Sequence, residues 1–211
     1  MDSKPGLRER KKQRTHAAIS EAAISLFLAH GFQHVSVAQV AEAAEVSKRT
    51  LFAYFPAKED LVVHRLADHE TELARVVAAA GPGGAPLAAV RENFLRGLRE
   101  RDPFTGLNDR PDVRALLHMI LDTPALVARM NTFRTGAERA LAGALREVGT
   151  PDLTARLTAV QIVAAHWTLA MDNAERLTRG ESAHARYPGA VTDAEHAFAL
   201  LEHGVTGGPP R

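Results

Sequence analysis

Lys48, Arg49 and Thr50 follow a serine at position 47 and lie just ahead of Phe52, Tyr54 and Lys58. This cluster supplies an ammonium, a guanidinium and hydroxyls beside apolar rings. Such donors suit phosphate oxygens and the acceptor-rich edge of guanine, and a ring suits a sugar or the methyl of thymine. None of these groups is arranged as a nucleophile with its base, so the chemistry is recognition. One basic residue alone would signify no more than a solvated edge, and the reading therefore depends on the elements that carry the cluster.

Two very short helices are written around it. Ser36 followed by Gln39 is a capping box: the hydroxyl satisfies an orphan backbone N–H while the amide reaches back to the cap. Val37, Val40 and Ala41 then repeat at helical spacing. Ser47 supplies a second cap a few residues later, so a second helix starts at Lys48, with Leu51 and Phe55 inward. Pro56 stops it by removing an N–H and clashing with the preceding turn. Two helices joined by a tight turn over about residues 36–55, the second led by Lys-Arg-Thr, read as a helix-turn-helix whose leading edge enters the major groove. Upstream, Arg10, Lys11, Lys12 and Arg14, with Lys4 and Arg8, form a basic arm able to contact phosphates or an adjacent minor groove.

The run from Ala22 through Gly31-Phe32, Val37-Ala38-Gln39-Val40-Ala41, Val46-Ser47-Lys48-Arg49-Thr50-Leu51-Phe52 and Tyr54-Phe55-Pro56-Ala57-Lys58-Glu59-Asp60-Leu61 resembles the N-terminal domain of TetR-type transcriptional regulators. The resemblance covers about the first third of the chain. It implies an all-α homodimer: a three-helix DNA-binding domain, residues 1–57, ahead of a helical ligand-binding and dimerisation domain, residues 58–211. The family binds a palindromic operator on double-stranded DNA and releases it on binding a small-molecule inducer, so a ligand-responsive regulator, most often a repressor, is expected. On that model Ser36, Ser47, Tyr54, Lys58 and the arm hold the backbone, while Lys48, Arg49 and Thr50 read bases with Phe52 in apolar contact. Two departures stand out. Glu45 occupies a turn position where the family usually has glycine, which predicts a reshaped turn. Phe52 replaces a common tyrosine and loses its hydroxyl bond to phosphate.

Charge and composition agree with a DNA-binding reading. The net charge is only +1, but residues 1–58 carry nine Lys/Arg against five Asp/Glu, and the remainder seventeen against twenty. Basic charge is thus concentrated where DNA would lie. The absence of cysteine excludes disulfides, thiolate zinc sites and cysteine redox sensing. No apolar run approaches the ~20 residues of a membrane span and no signal-peptide core follows the basic start, so a cytoplasmic location and no membrane partner are expected. No phosphate loop, nucleophile elbow or His-Glu-x-x-His occurs, which argues against an enzyme, and no cofactor is implied. The alternatives are an architectural DNA-binding protein without an effector, or a ligand-binding or enzymatic helical protein with a relict helix-turn-helix.

Helical signals run almost throughout. They predict helices over Leu7–His30, from about Lys58 to the Gly81–Pro86 break, over Leu87–Leu98, Pro111–Leu121, Pro124 to about Val148 and Pro151–Arg179, and a last one opening on the capping box Thr192–Glu195. Leu153, Leu157, Val160, Ala164, Trp167 and Met171, with Phe198 and Leu201, form apolar stripes that could close a four-helix bundle between two subunits through the last two helices. Family pockets lie among the middle helices. Phe94, Leu98, Leu117 and Met119 are therefore candidate wall residues with Met130, Phe133 and Trp167, although plain core is the commoner role for each taken singly; few aromatics argue against a site for large flat drugs, and a lipid-like or acyl ligand is compatible. His64 with Asp68 and His118 with Asp122 have i,i+4 spacing that could offer metal ligands, His69 lying nearby; solvated ion pairs are the simpler reading, and no metal is assigned.

Overall fold

The computed structural model describes residues 6–67 and 69–204. The expected Lys4 and Asp68 lie outside them, and so does the side chain of Arg8. Among the described residues the chain is all-α with no strand: α1 Leu7–His30, α2 Val37–Ala43, α3 Lys48–Tyr54, α4 Asp60–Ala67, α5 Glu72–Ala80, α6 Pro86–Glu100, α7 Pro111–Leu121, α8 Pro124–Glu147, α9 Asp152–Thr178 and α10 Ala183–His203. Short 3-10 turns occur at Phe32–His34 and Pro103–Thr105. The backbone gathers into two compact units. One runs through Arg65 and takes in His118–Met130; the other holds Leu66–Leu117 and everything from Asn131 onward. A division at residue 57/58 thus falls inside the first unit.

In the first unit, Ile19, Ala23 and Phe27 recur every four residues on α1 and are fully buried. Gly31 ends that helix at φ +85°, a conformation open to glycine. Its N–H still bonds Phe27 O, and Phe32 turns back to pack on Phe27 at 5.0 Å. Val35, Val40, Ala41, Leu51, Phe55 and Leu61 complete the core around which the two short helices sit. Seven-residue helices are too short to be stable alone, so this packing and their caps hold them. Asp60 at the start of α4 is buried: it accepts from Ala57 N–H at 3.0 Å and from Arg129 Nε at 2.6 Å, tying His118–Met130 to the DNA-binding core.

The second unit packs Leu73, Val77, Val90, Phe94 and Leu98 against Leu141, Leu145, Ala159, Ile162 and Phe198. Two helix expectations are corrected. A single helix from Lys58 to Ala80 is instead α4 and α5: the apolar repeat lapses over His69–Glu70–Thr71, and Glu72 opens a new helix with its carboxylate turned to His69. The box Thr192–Glu195 does not start the last helix. Ser182 caps it ten residues earlier, accepting Ala185 N–H at 3.1 Å, while Asp109 accepts Ala183 N–H at 2.8 Å. Pro188 therefore sits inside α10, and Thr192 Oγ1 donates to the Pro188 carbonyl. Arg186, buried on the same helix, bonds Asn173 Oδ1 at 3.0 Å, Asp172 at 2.9 Å and Asp193, fastening α10 to α9.

Candidate nucleic-acid interface

The helix-turn-helix is built from locally satisfied ends. Ser36 Oγ accepts the Gln39 N–H at 3.3 Å while Gln39 Oε1 accepts the Ser36 N–H at 2.8 Å, the reciprocal box its spacing implies. Such a cap contributes about 1 kcal/mol. α2 then closes with the Glu45 N–H on Glu42 O and the Val46 N–H on Ala41 O, the paired bonds of a Schellman turn. That turn needs a left-handed residue, and Glu45 supplies it at φ +53°. The expected reshaping does not occur: glutamate adopts the glycine geometry. Ser47 caps α3 by accepting Thr50 N–H at 3.0 Å.

These caps aim one face of α3 outward. Lys48, Arg49, Phe52 and Ala53 are exposed, Phe52 at 45%, while Leu51 and Phe55 are fully buried. Thr50 is less available than its position implies, because its hydroxyl shares a 2.8 Å hydrogen bond with Ser47 Oγ. The hydroxyls of Ser36 and Ser47 are likewise occupied by capping. Tyr54 is half-buried, its ring 6.3 Å from His16. Lys58 also differs from a free phosphate clamp. Its Nζ donates to Phe32 O at 2.6 Å and sits 4.4 Å over the Phe32 ring, and partial burial lowers its pKa against the opposing pull of Glu59. Two of its three N–H bonds remain for an outside acceptor. Arg10, Lys11, Lys12 and Arg14 are exposed on the opening turns of α1, so they project from a helix and not from an extended arm.

Beneath this surface is a contact that sequence spacing did not reveal. His16 of α1 stacks on Phe55 at 4.5 Å, and His64 of α4 meets both rings edge-on at 5.0 and 5.1 Å. Phe55 is the residue after α3, so α1 and α4 grip the end of that helix.

The sequence of this region matches the model of a known family. Residues 19–64, spanning the second half of α1 through α4, match the model for bacterial regulatory proteins of the tetR family. The chain's N-terminal region is thus similar to the TetR family. The chain is 34% identical over 125 residues to the HTH-type transcriptional regulator TcmR of Streptomyces glaucescens, covering 59% of this chain and 55% of that one. It is 37% identical over 87 residues to the HTH-type transcriptional regulator RutR of Escherichia coli strain K12, 41% of each. The matched region thus spans about half the length of these relatives. Crystalline native NalD, the secondary repressor of the MexAB-OprM multidrug efflux pump in Pseudomonas aeruginosa, shares the fold across 92% of this chain and 96% of its own, with a TM-score of 0.57 and 23% identity.

The expected pocket residues are shared between the two units. Met119 and Met130 fall in the first unit, Met130 in its core. Phe94 and Leu98 are fully buried in the core of the second unit, because α6 packs between α5 and α10 and turns that stripe inward. Leu117, Phe133 and Trp167 keep partial exposure. His118 and Asp122 form an exposed pair at 3.1 Å. Of the last helix's stripe, Phe198 is buried and packs on Phe94 at 6.3 Å, while Leu201 lies partly buried on the same core. No described helix is long and apolar enough to cross a membrane.

Proposed function

We propose that the protein is a dimeric, sequence-specific regulator of transcription that leaves its operator when a small molecule binds its second unit, and so acts as a repressor. The observation that carries this reading is the outward face of α3: Lys48 and Arg49 with Phe52 one turn on, held over a closed core by two serine caps. Arg49 reads a guanine by paired N–H bonds, Phe52 and Ala53 pack on a thymine methyl or a sugar, and Lys48 and Lys58 anchor phosphates. Arg10–Arg14 adds sequence-independent attraction. The division into a DNA-binding and an effector unit follows the family, whose relatives are named as transcriptional regulators, and implies action in the cytoplasm, where the DNA is.

Dimerisation is supported by α9. Leu153, Leu157 and Val160 are 62%, 55% and 48% exposed, and Leu200 of α10 is 38% exposed. Large apolar side chains aligned along one helix form the kind of patch that marks an interface, and a two-fold axis would use each of them twice. Two recognition helices could then read half-sites about 34–36 Å apart. The reading is tested by comparing binding-site preferences of the intact protein and Arg49→Ala. Loss of discrimination at one symmetric base pair, with other positions retained, is expected; an unchanged profile would remove Arg49 from base readout.

A further inference from the structure

The capping box at the start of α2 fixes which way one side chain faces. Gln39 Oε1 lies 2.8 Å from the Ser36 backbone nitrogen and 2.9 Å from Ser36 Oγ, while that Oγ accepts the Gln39 N–H at 3.3 Å. A backbone N–H can only donate, so the amide atom facing it is the oxygen and not the nitrogen. With two donors on it, that oxygen has both lone pairs in use. The Gln39 Nε2 is left with two N–H bonds, and among the described residues no acceptor takes either of them. Gln39 itself is exposed.

The remaining side chains of α2 offer no other donor. Val40 and Ala41 are buried in the core, Val37 and Ala38 are half-buried and apolar, and Ala43 carries no polar group. Glu42 is exposed, but a carboxylate repels a phosphate. The Ser36 hydroxyl ahead of the helix is spent twice, accepting from the Gln39 N–H and donating to Gln39 Oε1. When a recognition helix lies in the major groove, the helix before it crosses the sugar-phosphate backbone. On this chain the crossing helix carries one neutral side-chain donor, held in one orientation by its own cap.

We propose that Gln39 donates an amide N–H to a phosphate oxygen of the operator and so sets where α2 sits on the backbone, a role that residue type alone assigns to the Ser36 hydroxyl. The assignment rests on the reading of the chain as a DNA-binding regulator given above. Amide side chains are among the ordinary donors to phosphate, and a bond to an ionised oxygen is stronger than one between neutral groups. Fixing the amide beforehand removes rotamer entropy that binding would otherwise cost. Because Gln39 carries no charge, its contact displaces no counterion. Its loss therefore weakens binding without changing the salt dependence, whereas the loss of a lysine or arginine contact changes both.

The test uses the full chain and the duplex recovered from a randomised pool, with anisotropy titrations over a salt series for the intact protein, Gln39→Glu and Gln39→Ala. Glutamate serves the capping box as glutamine does, so Gln39→Glu should unfold at the same temperature as the intact protein. It should nevertheless bind roughly tenfold or more weakly, because it turns an acceptor toward the phosphate. Gln39→Ala should lose about tenfold with an unchanged salt slope. Duplexes carrying a methylphosphonate at each phosphate in turn then locate the contact. At one symmetric pair of positions this neutral substitution should weaken binding of the intact protein, weaken Gln39→Ala no further and relieve Gln39→Glu. Additive losses at every phosphate overturn the proposal, as does a Gln39→Ala affinity equal to that of the intact protein. If the intact protein binds the duplex and the losses are additive, only the Gln39 assignment fails; if it binds no duplex, the regulator reading falls with it.

Discussion

Replacing Glu45 with glycine should stabilise the DNA-binding unit, by an amount set in the turn itself. Glu45 sits at φ +53° with its N–H on Glu42 O, and no side-chain hydrogen bond or ion pair of its own holds it there. A side chain in the left-handed region costs about 1–2 kcal/mol, and glycine removes that cost. Glycine also gives the unfolded chain extra freedom, which takes back about 0.5–1 kcal/mol. The net gain is then about 0.5–1 kcal/mol, or about 1–4 °C in Tm for a chain of this size. Glu45→Ala is the control: it deletes the same exposed charge near the DNA face but keeps the strained φ. Thermal unfolding should rank Glu45→Gly above both the natural protein and Glu45→Ala, while operator affinity should change equally in the two variants, since both lose one negative charge. A Tm for Glu45→Gly no higher than for Glu45→Ala would show that the left-handed turn stores no strain.

Lys58→Met should lower operator affinity for all sequences alike and reduce the salt slope by about 1, and it should also lower Tm, because the Nζ–Phe32 carbonyl bond is lost; anisotropy across a salt series checks the first and unfolding the second. Leu157→Glu should convert the dimer to monomer in sedimentation and weaken operator binding by a factor on the order of 100, since two half-exposed leucines and two like charges meet at a two-fold axis. The pKa of His166 is pushed from 6.5 to about 4 by burial, so between those pH values the unfolded chain binds the extra proton and the native state does not. Stability contributed by the neutral ring is complete above pH 6.5 and is lost as pH falls toward 4, by up to roughly 3 kcal/mol; His166→Phe should flatten urea-derived stability over that window, and an unchanged slope would contradict the burial of His166. Glu72, held to about 2, acts in the lower window between about 4.5 and 2.

Local signals carried much of the fold. The Ser36–Gln39 box, the Ser47 cap and the Pro56 stop each involve residues within four positions of one another, so α2 and α3 could be read from spacing. Helix joints were less legible. Apolar residues on both sides of His69–Thr71 suggested one helix, although the polar run between them left nothing to bury. The Thr192 box was overridden by Ser182 together with Asp109, an acceptor 74 positions from the N–H it satisfies. Distant pairings left no sequence trace: Asp60 with Arg129, 69 residues apart, and Glu72 of α5 with Asn93 of α6. Candidate DNA contacts were read from residue type, which does not reveal that the Thr50 hydroxyl shares a hydrogen bond with Ser47 Oγ or that Lys58 donates to the Phe32 carbonyl.

In a two-fold dimer the face of Lys48, Arg49 and Phe52 should read DNA sequence as a pair. Selection of bound duplexes from a randomised pool by the intact protein, at two salt concentrations, measures this directly. The expected result is an enriched palindrome with half-sites centred about 10 base pairs apart or a multiple of that, retained at the higher salt. Salt-sensitive retention of duplexes with no enriched motif would contradict it and leave only non-specific attraction to phosphate.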